Sequence, residues 1–177
     1  MLRYGDTFPD FHLTAVTGVN HEKDFHDVDL DTYAGKWKVF FFWPKDFTFV
    51  CPTEISGFGA LEKEFSTRGT QLIGASTDSD FVHMAWRQHH SDLTESPFPW
   101  LADIKKELSH ALGIVNEELG VANRATFIVD PDNKIRFSEM TDLSVGRNPH
   151  ETLRILDALQ SEKLTPCGWK KGEAALN

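Results

Sequence analysis

Lys38-Val39-Phe40-Phe41-Phe42-Trp43-Pro44-Lys45-Asp46-Phe47-Thr48-Phe49-Val50-Cys51-Pro52-Thr53-Glu54 decides the fold. Its first six residues form a short, continuous apolar run, which reads as a strand buried on both faces. Pro44 ends the strand. Pro52 suits the first position of a helix, where its missing N–H costs nothing. Glu54 places a negative charge in the first helical turn, where it is favourable. Ile55, Phe58, Leu61 and Phe65 then recur at helical spacing. The segment carries Cys51 from a buried strand to the first turn of a helix. A helix N-terminus favours the thiolate, which is the nucleophilic form of cysteine.

Outward from this segment the pattern repeats. Gly69 stops the helix, and Gln71 to Ser76 reads as a second buried strand. Ser79 to His90 reads as a helix with Phe81, Val82, Ala85 and Trp86 on its apolar side. Ser96-Pro97-Phe98-Pro99 reads as a loop, and Asp103 to Leu112 as a helix closed by Gly113. Ala125 to Val129 is strand-like, Asp130-Pro131-Asp132-Asn133 is a turn, and Ile135 to Met140 returns as a hairpin partner. Asn148-Pro149-His150-Glu151 opens a last helix with a cap, a proline and an acid. Towards the N-terminus, Phe8 to Leu13 reads as a short strand and residues 18–35 as an acidic surface excursion. The order strand–helix–strand–helix, hairpin, helix implies an α/β sandwich with a mixed central sheet flanked by helices.

Composition narrows the function. The chain has 177 residues and is 40% hydrophobic, enough for one domain with its own core. A net charge of −9 argues against nucleic acid and anionic membrane surfaces as partners. No apolar run approaches the roughly 20 residues that span a bilayer. The N-terminus lacks the apolar core of a signal peptide, so a cytoplasmic location is the expectation. Two cysteines, Cys51 and Cys167, are expected to be free thiols in that compartment rather than a structural disulfide.

Pro44, Thr48 and Cys51 form a P-x-x-x-T-x-x-C pattern. Pro44 offers a rigid apolar wall. Thr48 offers a hydroxyl that can accept from one group and donate to another. A substrate oxygen between that hydroxyl and the Cys51 sulfur would be oriented for in-line attack. His83, His89 and His90 lie on one helix, but no carboxylate–histidine cluster accompanies them, so no metal is expected. A thioredoxin-like disulfide reductase would need a C-x-x-C pair. Glu54 stands where the second thiol should be.

The segment from Phe42 to Glu54 resembles the active-site segment of typical two-cysteine peroxiredoxins, in particular the alkyl hydroperoxide reductase C subunits. Further likenesses are Phe81-Val82-His83-Met84-Ala85-Trp86, Arg124 to Asp130, Val145-Gly146-Arg147-Asn148 and the tail Gly168-Trp169-Lys170-Lys171-Gly172. The resemblance implies a thioredoxin-like fold over residues 1–160, with a C-terminal tail over 161–177. Cys51 would be the peroxidatic cysteine, oxidised by hydrogen peroxide or an organic hydroperoxide to a sulfenic acid. Arg124 would set a guanidinium beside its sulfur, and Glu54 and Arg147 would hold Arg124. Cys167 would be the resolving cysteine, closing a disulfide that the resemblance places with Cys51 of another subunit and that the sequence itself equally allows within one chain. Thioredoxin or a dedicated disulfide reductase would then restore both thiols, with no metal or organic cofactor. Relatives form homodimers that assemble into rings, and some act as chaperones or peroxide sensors.

Relatives often carry the resolving cysteine four residues before the tail tryptophan. Here Thr165 holds that place and Cys167 stands two residues before Trp169. The chain also lacks the Gly-Gly-Leu-Gly element and the Tyr-Phe ending of peroxide-sensitive relatives. Resistance to overoxidation is therefore expected. Free cysteine is already a few per cent thiolate at neutral pH, so ionisation adds only about tenfold to twentyfold in rate. Most of the reactivity must come from orienting the peroxide and stabilising developing charge.

Overall fold

The computed structural model describes residues 1–176. The chain begins with strand β1 (His12–Val16), a single helical turn α1 (His21–Asp24) and strand β2 (Phe25–Asp29). Strand β3 (Trp37–Phe42) leads into helices α2 (Cys51–Ala60) and α3 (Glu62–Ser66), then β4 (Thr70–Ser76) and α4 (Asp80–His89). Strand β5 (Trp100–Ala102) precedes α5 (Glu107–Leu112) and the short pair β6 (Val115–Asn116) and β7 (Val121–Ala122). A hairpin of β8 (Arg124–Val129) and β9 (Ile135–Thr141) is followed by α6 (Pro149–Gln160).

Seven strands form one mixed sheet in the order β2-β1-β5-β4-β3-β8-β9. Strand β3 is central, parallel to β4 and antiparallel to β8. Its apolar run from Val39 to Phe42 follows from that position, while the buried Lys38 gives its ammonium to the Lys36 carbonyl at 3.0 Å. Phe40 and Phe42 point into the core on one face, with Phe8, Ile73, Leu112 and Phe127. Val39, Phe41 and Trp43 point into the core on the other, with Ile55, Phe58, Trp86 and Leu156. Phe8 stacks on Phe40 with ring centroids 4.3 Å apart, and Phe58 stacks on Phe41 at 4.1 Å. Helices α2, α4 and α6 thus cover one face, and α5 with the N-terminal segment covers the other. Among the described residues no helix is long and apolar enough to cross a membrane.

Several elements depart from expectation for physical reasons. Residues 18–35 are not a mere excursion: β2 pairs antiparallel with β1 from His12↔Asp29 to Val16↔Phe25. As an edge strand it buries Val28 and leaves His26 and Asp27 in solvent, so its sequence looks polar. The first strand runs over His12–Val16 rather than Phe8–Leu13, because Ala15 and Val16 are the residues fully buried there. The helix expected from Pro52 to its stop at Gly69 breaks at Leu61, whose backbone leaves the helical region. Strand β5 falls in a stretch with no strand expectation. The helix expected from Asp103 starts at Glu107. Buried Asp103 acts instead as a remote cap, accepting from the Leu108 and Ser109 amides at 3.2 and 2.8 Å. On α4, Phe81 is exposed, while His83 and Arg87 are buried beside Trp86.

Candidate active site

The strand-to-helix junction puts Cys51 at the first residue of α2. Val50, at the cap position, makes no side-chain cap bond, so the α2 amide end stays free of a competing carboxylate or hydroxyl. Cys51 is fully buried. Strand β8 pairs with β3 and delivers Arg124 from its first residue to the sulfur. Arg124 Nη1 lies 3.3 Å from Cys51 Sγ and 2.7 Å from Glu54 Oε2, and Arg124 Nε donates to the Leu143 carbonyl at 2.9 Å. Glu54 sits one helical turn after Cys51, on the same face of α2.

Arg147 closes the arrangement from the segment before α6. Its backbone N–H and Nε donate to Glu54 Oε1 at 2.9 and 2.8 Å, and its Nη2 to Oε2 at 3.0 Å. Its Nη1 donates to the Ala125 carbonyl at 2.7 Å, anchoring the group to β8 beside Arg124. Burial pushes the Glu54 carboxyl up, but the Arg147 and Arg124 guanidiniums outweigh it and hold the group below the usual carboxylate value. Burial disfavours the Arg124 charge, yet the Cys51 sulfur and Glu54 outweigh that and raise its pKa. The result is a buried guanidinium with one nitrogen shared between a carboxylate and a sulfur. Such a donor suits a thiolate and the charge that develops on an attacked oxygen.

Pro44 is buried in the loop between β3 and α2. Thr48, half-buried in the same loop, donates its hydroxyl proton to the Lys45 carbonyl at 3.0 Å, leaving oxygen lone pairs to accept. Thr48 also borders an open cavity with Phe49, Pro52, Thr53 and His90, whose lining does not include Cys51. The structure therefore brings Cys51, Glu54, Arg124 and Arg147 into one bonded cluster and sets Pro44 and Thr48 on the loop leading to it.

The AhpC/TSA family pattern matches residues 4–138. The chain belongs to the AhpC/TSA family of peroxiredoxins. It is 50% identical over 185 aligned residues to the alkyl hydroperoxide reductase C of Mycolicibacterium smegmatis, covering 100% of this chain and 94% of that one. Among solved structures, Mycobacterium tuberculosis AhpC superposes with a TM-score of 0.88 at 51% identity, covering 96% of this chain and 99% of that chain. The reduced two-cysteine peroxiredoxin of Plasmodium vivax gives a TM-score of 0.91 at 30% identity, with 99% and 93% covered. The fold is thus the thioredoxin-like one of peroxiredoxins.

In this peroxiredoxin the two cysteines are unbonded and sit in opposite environments: Cys51 is buried and Cys167 exposed. Cys167 borders an open cavity of about 760 Å³ with Arg136, Arg154 and Lys163. The tail around it is tied down at Trp169, whose indole donates to the Glu173 carbonyl at 3.0 Å and whose own carbonyl accepts from Arg154. Sequence reasoning missed two residues that hold the active-site loop, Asp46 and His83. Buried Asp46 accepts from the Trp43 indole at 2.7 Å and lies 2.6 Å from His83 Nδ1. The available signal was an acid set among the aromatic residues between Trp43 and Phe49.

Proposed function

We propose that this peroxiredoxin reduces hydrogen peroxide and organic hydroperoxides through Cys51, in antioxidant defence and cell redox homeostasis. Family membership makes the chain a thiol peroxidase. The observation that carries the residue assignment is the Arg124 guanidinium 3.3 Å from the buried Cys51 sulfur, itself fixed by Glu54. The Cys51 thiolate attacks one peroxide oxygen, and the O–O bond breaks. The leaving oxygen takes a proton and departs as water or alcohol, while Cys51 becomes a sulfenic acid. Arg124 stabilises the charge moving from sulfur to oxygen, Thr48 accepts from the peroxide, and Pro44 walls the site from water.

The Cys167 thiol then condenses with the sulfenic acid. An S–S bond forms and water leaves. An external dithiol, thioredoxin or a dedicated disulfide reductase, returns both cysteines to thiols. The domain over 1–160 carries the peroxide chemistry and the tail over 161–177 carries resolution. Pairing across a homodimer within a ring of such dimers, in the cytoplasm, completes the reading.

Non-reducing electrophoresis of wild type, Cys51→Ser and Cys167→Ser after one equivalent of peroxide tests it. A covalent dimer in wild type alone is the expected result. Turnover with thioredoxin by Cys167→Ser would rule out the two-cysteine cycle.

A further inference from the structure

Asp46 lies midway along the loop that joins β3 to Cys51. One of its oxygens accepts from Trp43 Nε1, and the other faces His83 Nδ1 at 2.6 Å. The second ring nitrogen, His83 Nε2, lies 3.2 Å from the Leu101 carbonyl on β5. The ring is fully buried, with its centroid 5.6 Å from those of Trp43 and Trp100. A carbonyl and an ionised carboxylate only accept. A neutral imidazole donates from one nitrogen and would turn a lone pair on the other acceptor. With Asp46 ionised, the doubly protonated ring is the form that satisfies both.

The surrounding charges agree. Asp78, between β4 and α4, accepts the Asp46 backbone N–H at 2.8 Å. Burial first, then the Asp46 charge, pushes the Asp78 carboxyl up. Arg87, further along α4, gives its guanidinium to the carbonyls of Val16, Ser96 and Phe98. The Asp46 carboxylate thus contacts the His83 ring directly, Asp78 stands behind Asp46, and the Arg87 guanidinium is taken up by backbone carbonyls.

We propose that His83 is a positioning residue for peroxide reduction, bolting the 43–50 loop to α4 and β5 as a doubly protonated ring. The loop needs such a bolt. Phe47 adopts a left-handed φ of 54°, which a bulky residue keeps only when its surroundings hold it there. Loss of the second proton removes the bond to Leu101 or to Asp46 and releases the segment carrying Pro44 and Thr48. The proposal rests on Cys51 being the attacking thiol.

The test combines ring protonation with kinetics. Histidine-labelled protein, followed by ¹⁵N NMR against pH, reports both His83 nitrogens directly. Stopped-flow mixing with hydrogen peroxide reports the Cys51 step over the same pH range. Both nitrogens should carry protons at neutral pH, and the wild-type rate should fall as the second proton leaves. His83→Asn should react about tenfold or more slowly, the scale expected of a misplaced site, and should lack that alkaline limb. A bare ring nitrogen at neutral pH would overturn the proposal. So would a His83→Asn protein with the wild-type rate and profile. A wild-type rate that stays flat while the proton leaves would do the same, whether or not the variant folds. Cys51→Ser serves as the control: peroxide consumption by that variant would sink the Cys51 reading itself, and the His83 role with it.

Discussion

Replacing Glu54 by glutamine removes one charge and almost no volume from the interior. Glu54 is 2% exposed. It accepts four hydrogen bonds, one from Arg124 and three from Arg147. Glutamine keeps one acceptor oxygen and points an NH₂ group at guanidinium donors. Two buried guanidiniums then lose the carboxylate they share. Removing one partner of a buried ion pair costs about 3–5 kcal/mol. For a chain of this size each kcal/mol moves Tm by about 2–4 °C, so Glu54→Gln should melt about 6–20 °C lower at pH 7.

The pH dependence follows from the direction of the Glu54 shift. Its folded pKa is depressed, so the unfolded chain binds the proton more readily. The stabilisation is complete above the unfolded value of about 4.3 and is lost as pH falls through the lower folded value. The Tm gap between wild type and Glu54→Gln should therefore be full at pH 7 and close only in strong acid. Thermal unfolding at one fixed protein concentration measures it, since any assembly links stability to concentration. A gap under about 2 °C at pH 7, less than one kcal/mol on this scale, would refute the reasoning. So would a gap that widens on acidification.

Two further substitutions probe the site. Arg124→Lys keeps the charge but loses the fork that spans Cys51, Glu54 and the Leu143 carbonyl. The second-order rate with peroxide should fall by about 10²-fold or more, read by stopped flow. Gly74→Ala puts a Cβ 2.7 Å from Trp43 Cζ3. Overpacking there should cost about 1–3 kcal/mol in urea unfolding and, through the Trp43–Asp46 bond, slow the peroxide step as well.

How far the sequence could be read depended on where each element sits. Strand β3 and the start of α2 were legible because a strand buried on both faces is dominated by apolar residues, here Val39 to Phe42, and a proline in the first turn marks a helix start. The α6 cap was legible for a similar local reason: Asn148 accepts from the His150 amide at 3.1 Å. Strand β2 was hidden because an edge strand with one wet face carries polar residues. Strand β5 was hidden because three residues carry too little pattern. The α4 face was misjudged because hydropathy counts His83 and Arg87 as surface. Here carbonyl oxygens and one carboxylate engage both His83 nitrogens and the terminal Arg87 nitrogens inside, while Arg87 Nε has no partner among the described residues. At the site, Cys51 and its neighbours on the junction were readable as local pattern. Arg124 and Arg147 meet Glu54 across 70 and 93 residues of chain, and only the resemblance pointed to them. Asp46 and His83 went unread for the same reason, since their meeting spans 37 residues.

The buried cluster of Cys51, Glu54, Arg124 and Arg147 also sets a charge balance. With the sulfur as thiolate, two anions face two cations and the interior is neutral. A sulfenic acid or a disulfide sulfur carries no charge, so oxidation would leave one positive charge in excess among nearly buried side chains. The reduced protein is the electrostatically content form, and the oxidised one gains by opening its helix start to solvent. In the proposed cycle that same imbalance tilts the Cys51 couple towards reduction, so that a Cys51–Cys167 disulfide would accept electrons more readily than the fold alone would dictate.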